Sequence, residues 1–511
     1  MCIGFLALLS ASLAACSGDA SMLSPTPAPA PSATATAART RAPTPAPTDT
    51  PAPTPTPSPP PAASKTPTSA PLSPTRTATP GVWTRRESVT IPTYPFAAFL
   101  HSEPHPLYGE PLVVFDRAAY EASSPLPEPK TYEALVVENA FIRLTFLPEL
   151  GGRLYQCTWK PTNQALFYNN VVLKPSYWGP LPREENWWLA AGGLEWALPV
   201  QEHGYEWGMP WSATLVRQSD RITVILRNTE DANRLQAEVS VTLAAGEGRF
   251  TVQMLLKNPT DRPLPVQFWA NAMLAPGGST VGSDLRFVFP AQSVTIHSTG
   301  DPALPPGGST ISWPLVGGRD MSRYAEWRKS LGVFGAEPLP SFAGAYNPAA
   351  DVGVARVLVG VGGVKLFAFG SEFPYAATYT DDGSAYVELW AGANRTFWPE
   401  DDRILQPGGS LAWREVWMPI AGTGGFTDAT EEAVLRLERE DETLLLAAAS
   451  PVQRKAVLRL SAGDAILLSR SVTLEPGRPY RETVPADASG KPLHLQLFAE
   501  DGILLAQATL P

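Results

Sequence analysis

The chain has 511 residues, with 55 prolines, 15 tryptophans, 17% charged residues and a net charge of −10. Its first 80 residues carry four basic and two acidic side chains, so the rest of the chain stands near −12. A body this acidic lacks the basic face that a phosphate backbone requires, which excludes nucleic acid as its main partner.

Residues Ile3 to Ala15 form a mostly apolar run, too short to span a bilayer of ~30 Å, which takes ~20 helical residues. The run ends in Leu13-Ala14-Ala15-Cys16. Small residues ahead of a cysteine at this position resemble the lipobox of bacterial lipoproteins, where the cysteine is acylated and becomes the mature N-terminus. Residues 1–16 are therefore expected to be a lipoprotein signal peptide, with Cys16 as the lipidation site. An ordinary secretory signal is the alternative, and no Lys or Arg precedes the run as it usually does. Either way the body is expected outside the cytoplasm, lipid-anchored to a bacterial membrane in the first case.

Residues 17–81 repeat Thr-Pro and Ala-Pro units without an aromatic residue. Such a segment buries too little apolar surface to offset its ordering entropy and is expected to stay disordered with polyproline character. At ~3.1 Å per residue the 60 residues 21–80 reach at most roughly 180 Å, which suits a stalk that holds a domain away from a membrane.

Cysteine and histidine narrow the chemistry. Only Cys157 lies in the body, so neither an internal disulfide nor a cysteine zinc site is available there. The five histidines (101, 105, 203, 297 and 494) show no helical metal spacing. No metal and no cofactor is expected.

From Trp83 onward, short runs of period two are broken by Gly, Pro, Asn and Asp. Phe141 to Leu147, Arg221 to Leu226, Glu238 to Leu243, Phe250 to Leu256 and Val352 to Phe369 read as strands. The Gly360-Val361-Gly362-Gly363 cluster reads as a hairpin turn, since a strand and not a helix follows it. Helical windows are few, and Met321 to Leu331 is a candidate. Trp413 to Pro419 reads as a closing strand, and a boundary falls near Gly422-Thr423-Gly424-Gly425. Beyond it, Thr443 to Ala448, Lys455 to Leu460 and Leu493 to Phe498 suit a small immunoglobulin-like sandwich. The expected organisation is all-β: a large antiparallel sandwich over residues 82–425, then an accessory sandwich over 426–511.

The densest chemistry runs from Tyr177 to Trp211. It holds Trp178, Trp187, Trp188, Trp196, Trp207 and Trp211, with Glu184, Glu185, Glu195, Glu202, His203 and Glu206. Aromatic faces interleaved with carboxylates suit a saccharide, whose C–H faces stack on rings while its hydroxyls need polar partners. A purely structural role for these tryptophans is the competing reading.

Several blocks resemble the galactose mutarotase-like (aldose 1-epimerase-like) superfamily, and most closely an uncharacterised bacterial branch of it. They are Leu147-Pro148-Glu149-Leu150-Gly151-Gly152-Arg153-Leu154, Gly192-Gly193-Leu194-Glu195-Trp196, Glu202-His203-Gly204-Tyr205, Phe268-Trp269-Ala270-Asn271 and Tyr386-Val387-Glu388-Leu389. The resemblance spans about residues 90 to 421 and implies a β-supersandwich with a site on its concave face. In the active enzymes a glutamate takes the proton of the C1 hydroxyl while a histidine protonates the ring oxygen. It implies Glu388 as the base and His203 as the acid or a binding histidine. Arg153, Glu195, Trp196, Trp211, Trp269 and Asn271 are the implied substrate-binding residues. Asn271 stands where the superfamily has a second histidine, and an amide cannot donate a proton as an acid does.

The sequence thus leads to an exported lipoprotein whose mutarotase-like domain binds a mono- or polysaccharide without efficient catalysis, the membrane being met through the lipid anchor alone. An epimerase-type enzyme using Glu388 and His203 is the alternative, and a surface structural or interaction protein the second. A serine hydrolase is disfavoured, since no Gly-x-Ser-x-Gly elbow is present. A glycosidase would need two carboxylates flanking the scissile bond, for which Glu195, Glu202 and Glu388 are the candidates.

Overall fold

The computed structural model describes residues 77–79, 81–104, 111–176, 187–199, 202–206, 208–372, 376–486 and 490–511. Cys16, the leader, nearly all of the stalk, and Trp178, Glu184, Glu185 and Trp207 lie outside the described residues.

Two large sheets face each other. The larger has fifteen strands and the smaller eight. Seven neighbouring strands of the larger sheet matter for function and are numbered here in chain order: β1 (Arg153–Trp159), β2 (Leu194–Ala197), β3 (Trp269–Leu274), β4 (Ser293–Thr299), β5 (Leu331–Gly335), β6 (Gly363–Ala368) and β7 (Val387–Gly392). They lie in the order β1-β2-β3-β7-β6-β5-β4, all antiparallel.

Side chains alternate across a strand, and these strands use both faces. Leu194 and Trp196, Ala270 and Leu274, Val364 and Leu366, and Val387 and Leu389 point to the smaller sheet. There they join Val239, Val252, Met254 and Trp413 in one apolar core, each large side chain contributing ~1.5–3 kcal/mol by burial. The residues between them (Glu195, Asn271, Lys365 and Glu388) therefore project from the opposite face. A charged pair lies in this core. Arg356, on the strand Val352–Val359 of the smaller sheet, pairs with Glu415 (Nε–Oε2 2.8 Å, Nη2–Oε1 2.6 Å) and donates to the carbonyls of Leu389 and Ala270 on β7 and β3. The indoles of Trp413 and Trp417 also donate to Glu415, both at 2.9 Å. A buried pair is tolerated only with this degree of hydrogen bonding.

The runs expected from period two all form strands, with ends within three residues of those expected, the run from Val352 to Phe369 forming two. Two expectations change. The Gly360–Gly363 segment closes no hairpin; it carries the chain from Val352–Val359 in the smaller sheet to β6 in the larger. Neighbours in sequence part company because Val352–Val359 pairs with Phe342–Asn347 and Ser410–Ala421, whereas β6 pairs with β5 and β7. The helical window around Met321 yields one 3-10 turn, Tyr324–Glu326, before β5. Met321, Tyr324 and Trp327 recur every three residues and are all buried, the period of a 3-10 turn and not of an α-helix.

The C-terminal segment forms two four-stranded sheets packed over Leu435, Leu446, Leu458, Leu460, Leu495 and Leu497. The fold class is thus the one expected: a large all-β sandwich followed by a small one. The small sandwich sits on the outer face of the smaller sheet, where Phe426, Ala429 and Val434 pack against Phe342, Tyr346, Val416 and Met418. This is the side away from the residues described next.

Candidate functional site

Glu195 is the centre of a buried network. β2 leaves a Gly192-Gly193 turn in which a Cβ at Gly192 would lie 2.2 Å from the Tyr168 carbonyl oxygen, with φ at +86°; only glycine fits such an approach. The network is Arg153 Nη2 to Glu195 Oε2 at 3.1 Å, Trp188 Nε1 to the same oxygen at 3.1 Å, and Asn271 Nδ2 to Oε1 at 3.1 Å. His203 Nδ1 lies 2.5 Å from Oε1. Burial alone would push the Glu195 carboxyl up, but His203, then Arg153 and Trp188, hold it below the usual carboxylate range. It is an anion that orients its neighbours. A carboxylate at Nδ1 fixes the orientation of the His203 ring.

His203 is placed by the loop that follows β2. Gly204 has φ of +65°, and a Cβ there would lie 2.2 Å from the Leu198 carbonyl oxygen, so this tight loop requires a glycine directly after His203. The imidazole stacks on Trp188 (centroids 4.3 Å apart, planes at 25°) and lies 4.9 Å from Trp390.

Glu388, on β7, is buried on the same face and accepts a hydrogen bond from Trp390 Nε1 at 2.9 Å. Burial raises its pKa, and His203 and Lys365 offset this only in part. The two carboxyls thus differ in role. Glu195 is firmly ionised, whereas Glu388 is pushed toward the range where a carboxyl exchanges protons.

The third group was not anticipated. Lys365, on β6, is buried with Nζ 4.2 Å from the centre of the Phe397 ring and 5.2 Å from that of Trp390. Its Nζ lies 3.5 Å from Glu202 Oε1, and His297 Nε2, on β4, lies 3.2 Å from the same oxygen. Burial lowers the pKa of Lys365, with Glu202 and Glu388 opposing. Burial and the nearby Lys365 lower that of His297 to about 4, so its ring is neutral at neutral pH. Buried polar atoms on this side without a hydrogen-bond partner in the described structure include Arg153 Nε, Asn271 Oδ1, His297 Nδ1 and Tyr386 Oη.

Among the residues expected at a site, Arg153, Glu195, His203, Asn271 and Glu388 therefore come together on one face. Trp269 shares that face and packs edge-on against Phe397 at 4.8 Å. Trp196 and Trp211 do not come to this face. Both belong to the core between the sheets, where Trp196 Nε1 donates to Gly152 O and Trp211 Nε1 to Glu206 O. For Trp196 the cause is its place next to Glu195, since a period of two sends them to opposite faces. Trp187 is likewise structural, stacked on Phe115 at 5.3 Å. Lys365, Trp390 and His297 escaped notice in the sequence. The signal for Lys365 was legible, as a lone lysine at an alternating position inside Gly363-Val-Lys-Leu-Phe-Ala368. Among the described residues no group of three His, Cys, Asp or Glu side chains is arranged to hold a metal ion.

A family model described as a domain of unknown function (DUF5107) matches residues 110–420, more than half of the chain. The chain belongs to this family. The DUF5107 domain thus takes in β1 to β7 and every site residue named above. A second model, the second domain of YphG-like proteins, matches residues 428–507, the small sandwich. Among solved structures, a TPR-domain containing protein from Parabacteroides distasonis is similar at 21% identity and a TM-score of 0.54, over 67% of this chain and 56% of that one. This chain spans little more than half the length of that relative. A galactose mutarotase-like protein from Clostridium acetobutylicum is 11% identical, with a TM-score of 0.42, over 57% of this chain and 96% of that one. The Slr1438 protein from Synechocystis sp. PCC 6803 is 12% identical, with a TM-score of 0.41 and the same coverage. At these identities the likeness concerns the fold alone.

Proposed function

We propose that the concave face of the larger sheet binds a saccharide, with Glu388 against its anomeric hydroxyl. The observation that carries this reading is a buried carboxyl of raised pKa set among the Trp188, Trp390 and Phe397 rings. Buried polar atoms are rarely left without partners, and Asn271 Oδ1, His297 Nδ1 and Tyr386 Oη are such atoms. Sugar hydroxyls supply the missing partners while the C–H faces lie on the aromatic walls. Calorimetric titration of the full chain with a panel of mono- and oligosaccharides tests the reading. At least one is expected to bind, with affinity about tenfold lower in Asn271→Leu, the effect of losing one buried hydrogen bond. A folded chain that binds none overturns it.

A second reading, an epimerase-type enzyme acting at the anomeric centre, is favoured by the contrast between Glu195 and Glu388. A base works best when its pKa lies near the operating pH, and only Glu388 is shifted in that direction. The chain is further proposed to be an exported lipoprotein held by Cys16, on the strength of the lipobox-like Leu13-Ala14-Ala15-Cys16 and the proline-rich stalk. Labelling with a palmitate analogue in the native host is expected in the wild type and absent in Cys16→Ala; equal labelling contradicts it.

A further inference from the structure

Proton transfer at an anomeric centre needs an acid across from the base. Asn271 cannot be that acid, and the Nδ1 side of His203 is already taken up by Glu195. In the sheet order β2-β3-β7-β6, His203 reaches Glu388 from the β2 side, clamped between Glu195 Oε1 and the Trp188 face. Lys365 reaches it from the other side, on β6. Lys365 pairs in register with Trp390, and Phe367 with Glu388, so Lys365 is the diagonal neighbour of Glu388, about 7–8 Å away across the strands. That spacing is between strand positions, and both side chains leave the same face of the sheet. The ammonium is held there by Glu202 and by the rings of Phe334, Phe367, Trp390 and Phe397.

We propose that Lys365 is the general acid that works opposite Glu388. This rests on the reading that a reducing saccharide places its anomeric carbon at Glu388. The Glu388 carboxylate takes the proton of the C1 hydroxyl, and a Lys365 N–H gives a proton to the ring oxygen. The bond between C1 and the ring oxygen breaks, leaving an open-chain aldehyde, a neutral carboxyl and a neutral amine. After rotation about C1–C2 the ring hydroxyl attacks the other face of the aldehyde and returns its proton to Lys365. The aldehyde oxygen recovers the proton from Glu388. Atoms and charge return to their starting state, and no co-reactant is consumed.

The charged and titratable groups facing Lys365 are Glu202 from the loop after β2, His297 on β4, Glu388 on β7, and Tyr379, whose own shift involves Glu388 and Glu202. His297 is neutral at neutral pH, so the opposition to the burial of Lys365 comes from the carboxylates of Glu202 and Glu388. Burial strengthens it as an acid, which brings an alkaline limb of the rate profile below the ordinary lysine range.

The test uses the full chain, saccharides dissolved as pure α anomers, calorimetry for binding and polarimetry for anomerisation. Wild type is expected to bind at least one and to speed its anomerisation. Lys365→Arg, which keeps the charge but not a usable acid, is expected to bind within about threefold and to lose at least 100-fold in rate, the scale of general acid catalysis. Glu202→Gln is expected to shift the alkaline limb to lower pH, since it removes a carboxylate that raises the lysine pKa; a merely structural Lys365 would leave the limb in place. Binding without anomerisation in the wild type, or an undiminished rate in Lys365→Arg, overturns the acid assignment and leaves the binding site standing. No binding by the folded wild type overturns both.

Discussion

Two glutamates on one face of one sheet have opposite consequences for stability. Glu195 is ionised and bonded to Arg153, Trp188, Asn271 and His203. Removing one partner of a buried ion pair costs about 3–5 kcal/mol, so Glu195→Gln is expected to lower the melting temperature sharply. Glu388 is ionised only against its burial, so Glu388→Gln is expected to raise stability by about 0.5–2 kcal/mol near neutral pH while abolishing any anomerisation. The pH dependence follows from the same signs. The pKa of Glu195 is depressed in the fold, so its contribution is complete above the ordinary carboxylate pKa and is lost as pH falls through the folded value. The pKa of Glu388 is raised, so wild type gains on Glu388→Gln as pH falls from neutrality toward that value. Thermal melts of both variants from pH 7 to pH 3 check this; equal shifts of the same sign would contradict it. Residue identity made Glu195, His203 and Glu388 visible in the sequence because a family motif marks them. Lys365 has no motif, and its role comes from a strand partner 25 positions away, Trp390.

At the scale of elements, the period-two pattern located the strands it named but not their partners, and of the seven strands of the site it reached only β6. The run from Val352 to Phe369 is the clearest case, since one half pairs with Ser410–Ala421 in the smaller sheet and the other with β7 in the larger. Register with distant strands decides which alternating set faces the core, and it sent Trp196 inward while leaving Glu195 on the site. The loop after β2 shows the opposite situation, in which local chemistry is decisive. Gly204 has a positive φ and no room for a Cβ. Gly204→Ala is therefore expected to cost about 1–3 kcal/mol of strain and to displace His203. Saccharide affinity should fall at least tenfold, read by calorimetry, with the far-ultraviolet circular dichroism of the sheets unchanged. Retained affinity would show that His203 does not depend on this turn.

At the scale of the whole molecule, the small sandwich and the site lie on opposite sides of the large one. Phe342, Tyr346, Val416 and Met418 of the smaller sheet are covered by Phe426, Ala429 and Val434, and Arg249 and Arg414 add ion pairs to Glu432 and Glu431. A chain ending at residue 421 would expose this apolar surface. It is expected to be less soluble and to melt lower than one ending at 511, without a change in which saccharides bind; a change in selectivity would assign the small sandwich to recognition. The central claim, that a saccharide occupies the concave face, is tested most directly by the indole N–H resonances of the tryptophans in a nitrogen-15-labelled chain. Addition of a bound saccharide is predicted to move those of Trp188 and Trp390, which donate to Glu195 and Glu388, and to leave Trp413 and Trp417, bonded to Glu415 between the sheets, in place. Movement of the core pair alone, or of none with every saccharide tried, would contradict it.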